Sequence, residues 1–229
     1  VYISVVDWDD DGDHDLLIGD ASGYIHVYLN KGSRRRPVLQ EGLVVTRGGR
    51  PINVGSRAAP DFVDLNGDGR KDLVVGNMDG FIMVYTNVGV EGRPAFSGPY
   101  KLSLKGGSPI NVGTRSAPRL FDWDGDGLKD LLIGEVRGYV YFIKNTGTED
   151  KPLFIKAERL RLEDGRPLKY PLKGARSRLA VTDWDDDGVP DLIVGGMDGR
   201  LMFYKGTGRP LKIKRWRWLK MRFLERFRE

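Results

Sequence analysis

Residues 122–134 read Asp122-Trp123-Asp124-Gly125-Asp126-Gly127-Leu128-Lys129-Asp130-Leu131-Leu132-Ile133-Gly134, and this stretch decides the fold. An Asp-rich loop of the pattern D-x-[DN]-x-D-G-x-x-D runs straight into an apolar strand that ends in Gly. The same arrangement begins at Asp7, Asp64 and Asp183, so successive copies are 57, 58 and 61 residues apart. Recurrence at one period marks an array of like units rather than a single irregular core.

Around each loop the copies align. A short apolar strand leads in (Val5-Val6, Phe62-Val63, Leu120-Phe121, Ala180-Val181), and the run after the loop has the composition of a strand buried on both faces. A turn ending in Gly23, Gly80, Gly138 or Gly199 then suits a hairpin, since Gly accepts the positive φ of tight turns. A third strand follows, closed by Asn30, Asn87, Asn145 or Gly206, and Pro37, Pro94, Pro152 or Pro210 opens a polar fourth strand with edge character. Four antiparallel strands per repeat of about 58 residues are the anatomy of a propeller blade. The expectation is an all-β propeller with blades at about 1–50, 51–108, 109–170 and 171–208. It closes as a four-bladed ring, or forms part of a larger or oligomeric one.

The loops carry the chemistry. Calcium takes six to eight oxygen ligands, mostly carboxylate and carbonyl. Alternate residues of a tight loop point inward, Gly at position 6 allows the bend, position 7 offers its backbone carbonyl, and position 9 closes the cage. The expected ligands are Asp7, Asp9, Asp11, Asp13 and Asp15 in loop one, and Asp64, Asn66, Asp68, Arg70 and Asp72 in loop two. Loop three supplies Asp122, Asp124, Asp126, Leu128 and Asp130, and loop four Asp183, Asp185, Asp187, Val189 and Asp191. Position 12 is Ile18, Val75, Ile133 or Val194 where an EF-hand needs an acid, and a strand follows instead of a helix. That rejects the EF-hand. Magnesium prefers to keep its waters and few carboxylates, so about four Ca²⁺, one per repeat, are expected.

These residues resemble the FG-GAP/VCBS repeats of integrin α-subunit propellers, fungal propeller lectins and many bacterial surface proteins. The resemblance covers about residues 1–210. It implies a calcium-stabilised β-propeller outside the cytosol or on the cell surface, serving adhesion, glycan binding or protein docking. Two departures stand out: Gly19 is followed by Asp20-Ala21-Ser22 in place of the Phe-Gly and Gly-Ala-Pro elements, and related propellers commonly close with more blades.

Other features are weighed beside it. Arg57, Arg115 and Arg176 share one offset before the loops and would ring a mouth of the central channel, as an anion site or as structural bonds to a neighbouring blade. Trp8, Trp123 and Trp184 at position 2, with Leu65 in loop two, should pack between blades. The chain has no cysteine, which excludes disulfides and thiol chemistry. No apolar run is long enough for a membrane-spanning helix, and no signal-peptide pattern precedes Val1. The net charge of +5 is concentrated in residues 209–229, where nine Lys/Arg oppose Glu225 and Glu229. The rest is mildly acidic, which argues against a nucleic-acid binder. The tail places Trp216, Leu219, Phe223 and Phe227 at helical spacing, either as a strand and short helix completing or capping the last blade or as a stripe meeting a membrane surface. A calcium-assisted polysaccharide lyase is the enzymatic alternative, but no catalytic base stands out.

Overall fold

The computed structural model describes residues 1–171, 176–209 and 212–219, the last six as backbone alone. Every element among them is a β-strand. Four antiparallel sheets follow one another along the chain, each ordered from an inner strand outward. Blade one holds Tyr2–Val6, Asp15–Gly19, Ile25–Tyr28 and Leu43–Val44. Blade two holds Ala59–Val63, Asp72–Gly76, Ile82–Asn87 and Phe96–Lys101. Blade three holds Ala117–Phe121, Asp130–Gly134, Val140–Ile143 and Glu158–Arg159. Blade four holds Arg178–Thr182, Asp191–Gly195, Leu201–Gly206 and Lys212–Leu219, and Arg161–Leu162 adds a parallel fifth strand. The chain is a four-bladed β-propeller.

Each Asp-rich loop is the hairpin between the first two strands. The last ladder pair joins the residue before position 1 to position 9: Val6 to Asp15, Val63 to Asp72, Phe121 to Asp130 and Thr182 to Asp191. Fourth strands start later than the prolines suggest, at Leu43, Phe96 and Glu158, because an Asn-organised loop comes first. Asn30 Oδ1 accepts the N–H groups of Gly32 and Val38, and Asn87 and Asn145 repeat the arrangement. The helical spacing of Trp216 and Leu219 is overturned: both lie in an extended strand that pairs with the open edge of Leu201–Gly206. Phe223 and Phe227 lie outside the described residues.

Blades cohere through apolar clusters between neighbouring sheets. Blade one sends Trp8, Leu17, Ile25 and Val27 against Phe62, Leu73 and Val75 of blade two, with the Trp8 and Phe62 rings stacked at 4.6 Å. Equivalent clusters join blades two and three, and three and four. Each buried Leu-sized side chain contributes roughly 1.5–3 kcal/mol, so these junctions dominate the stability. The second strands of blades two and three are buried along their whole length, as their composition predicts, whereas those of blades one and four alternate.

The alternation has a plain cause. Among the described residues no comparable cluster joins blade four to blade one. Trp184 is 56% exposed, where Trp8 and Trp123 are 8% and 5% exposed, so the expected packing between blades fails for Trp184 alone. On blade one Ile3 and Val5 face solvent, while Phe62 and Leu120, at the place of Val5, are buried. Gly76 shows how closely blades approach: a Cβ there would sit 2.1 Å from the Ser116 carbonyl oxygen of the next blade. At Gly195 the nearest atom to such a Cβ is 3.4 Å away, within blade four itself.

Candidate functional site

Loops one, three and four each bring three carboxylates together. One oxygen apiece from Asp7, Asp9 and Asp15 lies within 4.8 Å of the others, and the same holds for Asp122, Asp124 and Asp130, and for Asp183, Asp185 and Asp191. Positions 1, 3 and 9 thus converge. Position 5 is turned to the loop itself: Asp126 Oδ1 accepts the Leu128 N–H at 3.0 Å, and Asp187 and Asp68 do likewise for Val189 and Arg70. Loop two carries Asn66 at position 3 between Asp64 and Asp72.

Position 1 shapes each loop, since both oxygens of Asp64, Asp122 and Asp183 accept loop N–H groups, including those of Gly69, Gly127 and Gly188. Position 9 has a second duty that the motif does not announce. Asp130 is fully buried and accepts the N–H groups of Trp123 at 3.3 Å and Asn145 at 2.8 Å. Asp15, Asp72 and Asp191 take the matching pairs, Trp8 with Asn30, Leu65 with Asn87, and Trp184 with Gly206. This carboxylate ties its loop to the end of the third strand. Burial, then the neighbouring loop carboxylates, push Asp130 up to about 7 and Asp72 up to about 6, against the backbone N–H groups that favour the charged form.

Lysines from the end of the third strand complete the picture. Lys31 Nζ lies 2.7 Å from Asp9, Lys144 bridges Asp124 and Asp126, and Lys205 bridges Asp185 and Asp187. Hydrogen bonds to Asp124 and Asp126 hold Lys144 well above the usual lysine range. In loop two Arg70 reaches Asp68 instead. These ammonium groups neutralise the carboxylates of positions 3 and 5 and would compete with a cation for position 3.

The donor set fits a hard divalent cation. It is all oxygen, and buried oxygens in it remain unspent: Asp7 Oδ1, Asp9 Oδ1 and Asp124 Oδ1 have no hydrogen-bond partner.

The arginines gather at the other end of the inner strands. A five-residue strand spans roughly 17 Å, which separates them from the loops. Arg57, Arg115 and Arg176 line one cavity of about 50 Å³, with Asp20, Ser177 and Arg178 in its wall. Their backbones brace the blades: the Arg57 N–H donates to Ala21 O at 3.1 Å and the Arg115 N–H to Met78 O at 3.0 Å. For Arg57 and Arg115 the oxygen-accepted bonds to the neighbouring blade are thus made by the main chain, and the Arg115 guanidinium adds one to the Met78 sulfur at 3.4 Å.

Known proteins share this plan. The profile of the FG-GAP-like repeat matches residues 64–133, which include loops two and three. Over 200 residues the sequence is 27% identical to human (Homo sapiens) integrin alpha-7, covering 81% of this chain and 15% of that protein. Over 190 residues it is 29% identical to Xenopus laevis integrin alpha-4, covering 75% of this chain and 16% of that protein. The chain therefore spans about a sixth of the length of these integrins. A chain in the structure of the Photorhabdus luminescens Tc holotoxin pore covers 94% of this chain at 21% identity with a TM-score of 0.49, over 9% of its own length. Residues 64–133, with loops two and three, therefore match the FG-GAP-like repeat, and the loops at Asp7 and Asp183 follow the same pattern.

Proposed function

We propose that this chain is a non-enzymatic, calcium-clasped propeller that works outside the cell or at its surface, binding a protein or glycan ligand in adhesion. The clustered carboxylates with unspent buried oxygens carry the calcium part, and the similarity to integrin α chains supports the adhesion part. Asp7, Asp9 and Asp15, Asp122, Asp124 and Asp130, and Asp183, Asp185 and Asp191 would hold the ions, with Asp64, Asn66 and Asp72 as a weaker fourth set. Bound calcium supplies the positive charge that lets these acids sit together ionised. Its effect is structural, fixing the hairpin between the first two strands. Removing calcium with a chelator should lower the melting temperature, and titrating calcium back should restore it in proportion to occupancy. An unchanged melt would sink the reading.

The open junction favours an assembly reading beside it. Blade four leaves Trp184 and Gly195 uncovered, and blade one leaves Ile3 and Val5 uncovered, at positions that bury against a like blade elsewhere. The occupant such surfaces fit is a second copy of this chain, docked head to tail. Light scattering should then show a concentration-dependent dimer that Gly195→Ala abolishes, because a Cβ there blocks the close approach. A monomer at all concentrations, or a dimer indifferent to Gly195→Ala, refutes it.

A further inference from the structure

The geometry points to a carboxylate-binding pocket in the arginine-lined mouth, formed by Arg57, Arg115 and Arg176 and separate from the metal loops. Three observations converge on it. First, these cations come from three successive blades into one cavity, and among the described residues none of the three pairs with a carboxylate. The Arg115 side chain meets only the Met78 sulfur at 3.4 Å among described hydrogen-bonding partners. Burial, and then the charge of Arg57, lower the Arg115 pKa, the response of a cation held near another without a counter-ion.

Second, buried side-chain atoms without hydrogen-bond partners collect in two places. Some belong to the metal loops; the others, Tyr2 Oη, Arg176 Nε and Ser177 Oγ, belong to residues lining this cavity. Ser177 is only 2% exposed, so water does not supply the missing partner freely. An oxyanion in the mouth would accept from the guanidinium groups of the arginines that line it.

Third, the backbone does not explain the side chains. Arg57 and Arg115 sit at φ of 54° and 59°, the left-handed region where Gly or Asn is the cheaper residue. The N–H groups that brace the neighbouring blade need no guanidinium. A long cation at a strained position is explained by what its head group meets.

Size and charge select the ligand. One water needs about 10–15 Å³ on this measure, so a cavity of about 50 Å³ takes a group of three or four heavy atoms rather than a sugar ring. A carboxylate is that group, and guanidinium forks match it in plane. Asp20 also lines the wall, held by the Tyr24 N–H at 2.9 Å, and it opposes a dianion such as sulfate more strongly than a monoanion. The carboxylate arrives on a larger ligand, as an acidic side chain of a peptide or a uronate of a glycan. Only that last step rests on the adhesion reading.

The test uses arginine Nε–Hε resonances of the calcium-loaded chain, titrated with N-acetylglutamate α-amide, whose one carboxylate is that of the side chain, glucuronate and sulfate. Both carboxylates should give saturable shifts at the three arginines, and the tighter one identifies the source. Replacing Arg57 and Arg115 together by Asn, which suits the left-handed backbone, should weaken binding by about tenfold or more. The calcium-dependent melting shift, read on the same samples, should stay unchanged. Shifts that do not saturate, sulfate binding as tightly as the carboxylates, or affinity untouched in the double variant each overturn the pocket. Loss of the calcium response alone would instead count against the metal reading.

Discussion

Two neighbouring acids of loop three should answer differently when their charge is removed. Asp130 is fully buried and spends both oxygens on backbone N–H groups. In Asp130→Asn the new amide nitrogen cannot accept, so one buried N–H loses its partner, at a cost of about 1–3 kcal/mol, while the buried charge that raises the carboxyl to about 7 is removed as well. Asp124 instead has one buried oxygen with no partner and gives the other to Lys144, which keeps Asp126 at 2.9 Å. That lysine is substantially exposed, so Asp124→Asn should cost at most about 1 kcal/mol without metal. For a chain of this length 1 kcal/mol shifts the melting temperature by roughly 2 °C. In chelator Asp130→Asn should therefore flatten the fall in melting temperature between about pH 6 and about pH 8, whereas Asp124→Asn should keep that fall and melt within about 2 °C of the parent. Saturating calcium tests the other role. A site filled a hundredfold above its dissociation constant contributes about 2.7 kcal/mol, or roughly 5 °C, and Asp124→Asn should forfeit one such share. Scanning calorimetry in chelator and in calcium, at about pH 6 and about pH 8 on either side of the Asp130 pKa of about 7, measures both. A full calcium response in Asp124→Asn, or an undiminished pH trend in Asp130→Asn, refutes the division of labour.

Other consequences are quicker to state. Lys144→Gln removes a cation that competes for Asp124 and Asp126 and should tighten calcium binding by a few-fold in calorimetry; weaker binding would mean that the lysine supports the site. Asn66→Asp adds the missing third carboxylate of loop two and should strengthen that site, with no gain in calorimetry counting against it. In chelator the pH trend has a definite sign. Asp72 and Asp130 have pKa values of about 6 and about 7 in the folded chain, above about 3.9 for an unfolded Asp. Their contribution is complete below pH 4 or so and is lost as pH rises through about 6–7. Asp126, held low first by its Lys144 hydrogen bond, acts only below this window. Metal-free stability should fall across it, and a melting temperature that rises instead contradicts the assignment.

The loops, the blade order and the inner placement of the arginines were legible in the sequence because each repeats at one offset in a period-two strand. Less legible was the double use of position 9, since its N–H donors at position 2 and at the end of the third strand are main-chain groups that any residue carries. The lysines gave a faint signal. Lys144 and Lys205 each lie 20 residues past position 3 of their loops, but Lys31 is offset and loop two uses Arg70. Trp184 was misread because the motif encodes a packing face and not the presence of something to pack against. In the tail only the helical spacing of Trp216 and Leu219 misleads, because apolar residues at that spacing say nothing of the open edge beside them.

The two charged ends of the inner strands also constrain each other. Every inner strand starts beside an arginine or the cavity it lines and finishes at an aspartate loop, so the fields of the two clusters add along the axis instead of cancelling. At roughly 17 Å the ends lie beyond a Debye length of about 8 Å at physiological ionic strength. Solvent-borne coupling is therefore slight, and calcium bound in a loop would reach the arginine mouth through the strands themselves. An ion that fixes the hairpin at Asp122 would fix Ala117–Phe121, which starts two residues after Arg115. The mouth keeps its shape so long as the inner strands hold their register. Metal bound at one end and ligand at the other would thus be joined by stiffness rather than by charge.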